Sequence, residues 1–325
     1  MIARFKSSRT SEYQPEVAWF AAIGGVWVFV LIMLGAFTTS IGAGMAFLDW
    51  PLSNGSLNPD GWLSDIMMFA EHSHRLSAGL MAFITIAIWL LVWAREDRAW
   101  VRNLALFAVV LVFTQALIGG LRVLFDHLHI ESIETSVGRL FAMVHAGLAQ
   151  IYVCTLLAIA MVLSRRWINW QGPAISGNIV RWGRWCVGLL LLQLAVAAVM
   201  RHSYAGLAIP TFPMSTPEGN LLPPIWNFKV CIHFAHRAMA LVLTVALGGF
   251  IYAIWRDSRV GGGLRLTAGL IGGLLVVQIA LGASAIWMTR DPYITTAHVL
   301  VGACLLAATF GAAVWSNRKS IPRAA

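Results

Sequence analysis

Eight long apolar runs decide what this chain can fold into. Only 11% of its 325 residues are charged, against about 25% in soluble domains, and each run is long enough for a membrane-spanning helix. Backbone groups in a bilayer must satisfy one another, which a helix does within one segment. The sequence therefore excludes a water-soluble globule. It predicts an all-α integral membrane protein with eight transmembrane helices, near residues 17–39, 66–93, 103–123, 140–163, 185–201, 229–255, 264–288 and 293–315.

The distribution of basic residues predicts the orientation of these helices. If the N-terminus is cytoplasmic, 16 of the 23 Lys and Arg residues fall in the five cytoplasmic segments, as the positive-inside rule requires. Arg4, Lys6 and Arg9 precede the first apolar run, which has no small-residue cleavage site and is interpreted as a retained span. We expect a multi-pass protein of the cell inner membrane, surrounded by lipid, with both termini cytoplasmic. Nucleic-acid binding is excluded, because topology accounts for the net charge of +9.

The second half of the chain repeats the first. Residues 42–46 return as 204–208, and the His-Arg pair at 74–75 returns at 236–237, both at an offset of 162 residues. An even number of spans separates the matching elements, which predicts two pseudo-symmetric four-helix bundles with parallel topology. Such a repeat holds either two similar sites or one site in a duplicated scaffold. The predicted segments are cytoplasmic residues 1–16, an N-terminal four-helix half 17–165, a cytoplasmic linker 166–184, a C-terminal four-helix half 185–316 and a cytoplasmic tail 317–325.

Four histidines recur at matching places in the two halves. His74 and His236 lie near the outer end of the second span of each half, and His145 and His298 near the outer end of the fourth, roughly 8 to 12 Å from the helix starts. Ionisable groups at that depth are candidates for function. A lone histidine there is more often a packing residue, but a repeated pair on neighbouring helices suits axial coordination of haem iron. A repeated zinc site is less favoured, because only the first half has a carboxylate beside its histidine.

One carboxylate distinguishes the two halves. Glu71 and His74 are three residues apart and face the same side of their helix, whereas the second half has His233 at the equivalent position. A carboxyl group there can act as an acid, a base or a stabiliser of developing positive charge, which predicts that the chemistry occurs in the N-terminal half. In the alternative interpretation, Glu71 only pairs with Arg75 or Arg122.

Two arginines directly follow the histidines of the second span in each half. Arg75 and Arg237 point about 100° around the helix from these histidines. They either meet haem propionates at the outer surface or extend to the membrane interface. The other histidines lie outside the repeat pairing or in outer segments, and we expect them to be solvated or interfacial: His72, His127, His129 and His202.

Together these features resemble the haem A synthase family over nearly the whole chain. Each motif is short, but their order on alternating helices of a duplicated eight-span chain is specific. The matching residues are Gly42-Ala43-Gly44, Asp49-Trp50-Pro51-Leu52, Asn54-Gly55, Glu71-His72-Ser73-His74-Arg75, Gly119-Gly120-Leu121-Arg122-Val123, His145, Ala205-Gly206-Leu207-Ala208, Phe212-Pro213, His236-Arg237 and His298. Two departures are the absence of the cysteine pair that many bacterial members carry in the first outer segment, and His233, where a polar amide is expected.

The resemblance implies a reaction and a set of binding residues. The family oxidises a methyl group of haem O to a formyl group, through a hydroxymethyl intermediate, which gives haem A for terminal oxidases. The resemblance implies that His74 and His145 bind the substrate haem O, with Glu71 taking part in the reaction. It also implies that His236 and His298 bind a haem b cofactor. We hypothesise that haem b passes electrons while the target methyl group lies near Glu71.

The resemblance also implies partners. A haem O synthase hands over the substrate, the product goes to the assembly of an aa3-type oxidase, and an electron donor takes part that the sequence does not identify. A homo-oligomer is compatible with the sequence. Two other functions would use the same four histidines: a bis-haem b membrane cytochrome that relays electrons, and a haem carrier without chemistry. A carboxylate in only one half argues against simple electron relay.

Overall fold

The computed structural model describes residues 9–321, and the fold is helical with one short hairpin. Arg4, Lys6 and the tail residues 322–325 lie outside the described residues. The elements are α1 (Pro15–Ser40), α2 (Ile66–Arg95), α3 (Ala99–Leu124), β1 (His129–Ile130), a 3-10 turn (Glu131–Ile133), β2 (Thr135–Ser136), α4 (Val137–Leu163), α5 (Arg165–Ile168), α6 (Gly177–His202), α7 (Phe228–Arg256), α8 (Gly262–Trp287), α9 (Pro292–Ser316) and a second 3-10 turn (Arg318–Ser320). β1 and β2 pair antiparallel between α3 and α4.

The eight predicted spans are confirmed. In the described part of the chain, eight helices of 25 to 30 residues are long and apolar enough to cross a membrane, namely all the α-helices except the short α5. The fifth span is longer than its apolar run, since α6 begins at Gly177 and the run only at residue 185. Arginines and tryptophans in its first turns lower the hydropathy without ending the helix. Trp182 packs these turns on α7 by donating from its indole N–H to Ala246 O (2.9 Å), so the last part of the predicted linker 166–184 is helical.

Polar caps fix where the histidine-bearing helices begin. Asp65 Oδ1 accepts hydrogen bonds from two backbone N–H groups in the first turn of α2 (2.8 and 2.9 Å). Asn227 Oδ1 accepts one in the first turn of α7 (3.0 Å). His74 and His236 each lie nine residues after their cap, about 13 Å along the helix. Equivalent capping therefore gives the two histidines the same depth.

The two halves have the same pattern of helix contacts. In the first half, α1, α2, α3 and α4 pack in a ring, because α2 touches α1 and α3 while α4 touches α3 and α1. In the second half, α6, α7, α8 and α9 form the equivalent ring. The halves meet through α1, α4, α6 and α9. The contacts thus support the proposed pair of four-helix bundles.

The two main clusters of buried apolar residues lie mostly at one end of the bundle. In the first half they include Met81 and Ile88 of α2 and Ile159 of α4, all C-terminal to the histidines on those helices. In the second half, Leu247 of α7 and Leu306 of α9 likewise lie beyond the histidines. We call this end of the bundle the core end, and the opposite end the histidine end. The two main apolar clusters and the candidate site therefore lie at different levels of the same helices, while Phe47 and Ile209 of the two loops are buried at the histidine end.

Two long loops cover the histidine end. Loop 1–2 (residues 41–65) joins α1 to α2, and loop 6–7 (residues 203–227) joins α6 to α7. Each contains a cis peptide bond, at Trp50-Pro51 and at Phe212-Pro213. The indole of Trp50 lies directly on Gly120 of α3, where there is no room for a Cβ atom. Loop 1–2 is therefore packed down onto the first half.

Candidate functional site

In the second half, His236 of α7 and His298 of α9 face each other. Their ring centres are 6.4 Å apart and their planes are inclined by 67°. Two imidazoles that bind one metal ion from opposite sides, each through a nitrogen about 2 Å away, have ring centres roughly 6 Å apart. The pair therefore fits axial coordination of the iron of a flat porphyrin between the two helices.

Glutamine side chains accompany both of these histidines. Gln193 of α6 donates from Nε2 to His236 O (3.0 Å), and the same nitrogen lies 3.1 Å from His236 Nδ1. Gln278 Nε2 of α8 lies 3.5 Å from His298 Nε2. His298 Nδ1 is buried and has no hydrogen-bond partner among the described residues. The motifs in the sequence do not assign these amides a role at the site, although a glutamine inside an apolar span is itself a signal.

In the first half, His145 of α4 already has the orientation of a metal ligand. Its Nδ1 lies 3.1 Å from the carbonyl oxygen of Gln115, so Nδ1 carries the proton and the lone pair of Nε2 is available. The Gln115 amide donates back to His145 O (3.1 Å). A Cβ at Gly119 would lie 3.3 Å from His145 Cε1, and one at Gly282 would lie 3.1 Å from His298 Cε1. The equivalent glycines thus let both rings lie close to a neighbouring helix.

His74 of α2 lies against α1. A Cβ at Gly35 would come within 2.8 Å of His74 Cε1, so glycine is needed for this approach. His74 Nδ1 is buried, and no described residue is its hydrogen-bond partner. His74 and His145 lie within electrostatic range of each other. The predicted histidines are thus neighbours in each half, while their role as iron ligands stays a prediction.

Glu71 holds loop 1–2 to α2. Its carboxylate accepts a hydrogen bond from the Phe47 N–H (3.1 Å) and forms an ion pair with Arg75, 2.6 Å from Oε1 to Nη2. Only 5% of the Glu71 side chain is exposed. The pairing with Arg75 that the sequence left open is therefore present. Arg122 instead donates a hydrogen bond to the carbonyl oxygen of Gly44.

His233 takes the same place in the second half. Its Nδ1 accepts a hydrogen bond from the Ile209 N–H (3.2 Å), and Ile209 follows Phe47 by the repeat offset of 162 residues. Its Nε2 lies 3.3 Å from Nε of Arg237. A neutral imidazole accepts at only one of its nitrogens, so this contact is weaker than the ion pair of Glu71. Holding the loop therefore does not require a carboxylate.

Arg75 and Arg237 reach into the loops that follow α1 and α6. Each donates from its Nη atoms to loop carbonyl oxygens at three matching positions: Phe47, Asp49 and Leu52 for Arg75, and Ile209, Thr211 and Met214 for Arg237. These contacts are not predictable from the sequence, because loop carbonyl groups leave no pattern in a sequence. Propionate binding by the two arginines stays a prediction.

His72 is buried, which corrects the expectation that it is solvated or interfacial. It is only 3% exposed, and its Nδ1 lies 2.9 Å from Ser53 Oγ. Loop 1–2 folds over this side chain, a tertiary contact that the polarity of the helix does not reveal. Of the other three histidines, His127 and His129 are exposed and His202 is half-buried.

Asp49 shapes the same loop. Its carboxylate accepts hydrogen bonds from the N–H groups of Asn54 (2.8 Å) and Gly55 (2.7 Å), which have left-handed φ angles of 50° and 69°. Burial opposes ionisation here, but these hydrogen bonds and the nearby charge of Arg75 hold the pKa of Asp49 below its usual range. The sequence motif formed by these residues therefore closes a turn.

Comparisons with known proteins agree on one family. The family model described as COX15-CtaA, cytochrome oxidase assembly protein, matches residues 64–310. A relative from Bacillus licheniformis, named heme A synthase, is 27% identical over 290 residues, which cover 86% of this chain and 88% of the relative. One of the same name from Geobacillus kaustophilus is 25% identical, with coverage of 90% and 89%. Another from Alkalihalophilus pseudofirmus is 26% identical, with coverage of 89% and 93%.

Proposed function

This chain belongs to the COX15-CtaA family of cytochrome oxidase assembly proteins, and from that premise we propose that it is a haem A synthase. Such an enzyme is an oxidoreductase that converts a methyl group of haem O into a formyl group through a hydroxymethyl intermediate. The family match confirms the family that the sequence predicts. Relatives named heme A synthase, similar over most of both chains, support the activity.

One difference between the halves carries the proposal. Both halves have a histidine pair, but only the first has a carboxylate, Glu71, one helical turn before a histidine of that pair. The second half has His233 there, with the same contact to a loop N–H group. Since the imidazole suffices for that contact, a carboxylate in the first half has a use beyond it. A protein that only relays electrons or carries haem needs no such difference.

His74 and His145 are the proposed axial ligands of the substrate haem O. The His145 Nδ1 contact with Gln115 fixes the tautomer that leaves Nε2 able to bind iron. The His74 ring packs closely against Gly35 of α1, which sets its position on α2, and its buried Nδ1 has no hydrogen-bond partner among the described residues. The two histidines thereby orient the substrate relative to Glu71.

Glu71 is the proposed catalytic residue. Oxidation of the methyl group requires that its carbon lose hydrogen, and a carboxylate one turn from His74 is placed to take the proton or to stabilise positive charge on that carbon. The Phe47 N–H and Arg75 hold the carboxylate in one position. A fixed charge has less reorganisation to undergo when charge develops in the transition state.

His236 and His298 are the proposed ligands of a haem b cofactor. When bound, haem b supplies one-electron transfer between the substrate site and an external electron donor. The facing rings, 6.4 Å apart, support this assignment. Gln193 holds the turn of α7 that carries His236 through its bond to the backbone.

The proposed setting follows from the same chemistry. The termini are cytoplasmic and the histidine end faces the outer side of the inner membrane, as the basic residues predict. The domain boundaries are those of the repeat, with the substrate site in residues 17–165 and the cofactor site in residues 185–316. A haem O synthase supplies the substrate, an aa3-type oxidase assembly receives the product, and an electron donor and self-association complete the set of partners.

Reverse-phase separation of extracted haems tests the proposal. The protein is expressed in a host that makes haem O, and membranes with and without it are compared. Haem A or its hydroxymethyl precursor should appear only with the protein. Haem b and unchanged haem O alone, from membranes shown to contain folded protein, would overturn the proposal in favour of a bis-haem cytochrome or a haem carrier.

A further inference from the structure

Apart from Arg237, which is bonded to loop 6–7, four arginines at the histidine end have no carboxylate partner among the described residues. They lie at the C-terminal ends of α3 and α6, in the first turn of α4 and in the turn before α9, and all are half-buried. Among residues 9–321, the ion pairs within 4.0 Å involve other arginines. We call these four residues the arginine group: Arg122, Arg139, Arg201 and Arg290. Unpaired charge in a half-buried setting is costly, so an anion is expected there.

The arginine group retains hydrogen-bond donors that the protein does not use. Arg201 donates only from Nη2, to Ala36 O (2.8 Å) and Ser40 Oγ (2.7 Å), which leaves Nε and Nη1. Arg122 donates only from Nη1. The side chains of Arg139 and Arg290 make no hydrogen bond to any described residue. The guanidinium of Arg139 instead lies 4.8 Å from the ring centre of Tyr204.

Each candidate site has a member of the arginine group close to its second histidine. Arg122 lies three residues after Gly119, the glycine against which the His145 ring packs. Arg201 and Thr296, which lies two residues before His298, both form hydrogen bonds to Ser40 Oγ. Arg139 lies six residues before His145 on α4, about 9 Å along the helix. By their positions in the chain, Arg122 and Arg139 belong to the half with His145, and Arg201 and Arg290 to the half with His298.

The arginines beside the other histidines are engaged elsewhere. Four N–H groups of Arg75 already donate to three loop carbonyls and to Glu71. Arg237 is bonded to the equivalent carbonyls of loop 6–7. Freeing either residue would release its loop. An anion at the histidine end is therefore more readily bound by the arginine group, whose remaining donors are free, than by Arg75 or Arg237, whose donors are occupied.

We propose that the arginine group binds the propionate carboxylates of the two porphyrins, Arg122 and Arg139 in the first half and Arg201 and Arg290 in the second. This inference rests on the proposed function, which supplies two haems. Guanidinium groups match carboxylates in charge and geometry. Four cations then face the four propionates of haem O and haem b, and Arg75 and Arg237 remain loop residues.

Haem binding to purified protein tests the proposal without reference to turnover. Arg201→Gln should weaken retention of haem b about tenfold and shift its oxidation equilibrium about tenfold towards the oxidised form, roughly 59 mV for one electron. Arg122→Gln should weaken binding of haem O and leave haem b unchanged. Arg184→Gln on α6 and Arg102→Gln on α3 are matched controls, because both arginines lie at the core end.

Haem dimethyl ester, which lacks free carboxylates, separates propionate binding from other effects of charge. The wild-type protein should bind the ester more weakly than Arg201→Gln binds haem, because the ester loses the contacts with both Arg201 and Arg290, and Arg201→Gln should not weaken ester binding further. The proposal would be overturned if Arg201→Gln left the retention and the reduction potential of haem b unchanged. It would also be overturned if Arg201→Gln weakened binding of the ester as much as it weakened binding of haem. Loss of anionic lipid that co-purifies with the protein, without loss of haem, would overturn the proposal and assign the arginine group to lipid headgroups. Formation of haem A is scored separately, so failure here leaves the proposed function standing.

Discussion

Loop 1–2 and loop 6–7 are held to their bundles by equivalent contacts made with different chemistry. In the first half, Glu71 and Arg75 form a buried ion pair, while in the second half the charged Arg237 lies 3.3 Å from the uncharged imidazole of His233. The loop N–H groups and carbonyl groups involved lie at the same offset of 162 residues. The two halves thus share the geometry of the loop contact, but the side chain that makes it is a carboxylate in the first half and an imidazole in the second. The comparison shows that either a carboxylate or an imidazole can hold the loop, which leaves the carboxylate of Glu71 available for the proposed reaction.

The largest expected effect separates the two histidine pairs. His236→Ala should remove haem b completely, whereas His74→Ala should keep haem b and lose haem O, because each pair holds its own porphyrin. The absorbance spectrum and extracted haems of the purified variants measure this. His127→Ala, which changes an exposed loop histidine, is the control. If both variants lost the same haem, the two sites would not be independent.

The next effect tests the carboxylate directly. Glu71→Gln should lower conversion of haem O at least about 100-fold, as is typical for loss of a general acid or base, with bound haem retained. The glutamine oxygen can still accept the Phe47 N–H, so the loop stays in place. His233→Gln makes the matched change in the second half and should alter conversion by less than about threefold. Full conversion to haem A by Glu71→Gln would refute the catalytic role.

A smaller effect concerns stability. Arg75→Ala leaves Glu71 buried without its partner and should lower the free energy of unfolding by about 3 kcal/mol. Arg237→Ala removes only hydrogen bonds to neutral groups and should cost about 1 to 2 kcal/mol. Denaturant unfolding in mixed micelles compares the two. Equal losses would mean that the ion pair adds nothing to the loop contacts.

The smallest effect lies in the turn that only loop 1–2 has. Asp49→Asn keeps one acceptor oxygen and should speed hydrogen exchange at the Asn54 and Gly55 amides several-fold, since a neutral acceptor is weaker.

Lowering the pH should weaken the same turn, because the pKa of Asp49 is lower in the folded protein than in the unfolded chain. The stabilisation of the turn by the Asp49 carboxylate is complete above the unfolded pKa near 3.8 and is lost as the pH falls through the lower folded pKa. Thr211, at the equivalent position, has no titratable group. Substituting it should leave loop 1–2 unchanged.

The fold was predictable because its signals are local or periodic. Apolar runs show the eight spans, and a constant offset pairs His74 with His236 before any contact is known. The exceptions are tertiary: α6 extends into polar turns that pack on α7, and His72 is buried by a loop. The carbonyl partners of Arg75 belong to loop backbone, which has no sequence signature. The sequence thus indicates which polar side chains stand out in apolar spans, while the residues that they contact are identified only from the structure.

The separation of the core end from the histidine end has a consequence for how cells assemble this protein. The helices of each half already meet through buried apolar side chains at a level distant from the four histidines. The apolar contacts between the helices do not depend on the proposed haems, so we expect haem insertion to be a late, local event in maturation. Protein made in haem-deficient cells should accumulate in the membrane with its helices intact and take up haem when supply returns. Synthesis of the chain and supply of its pigments need not be simultaneous.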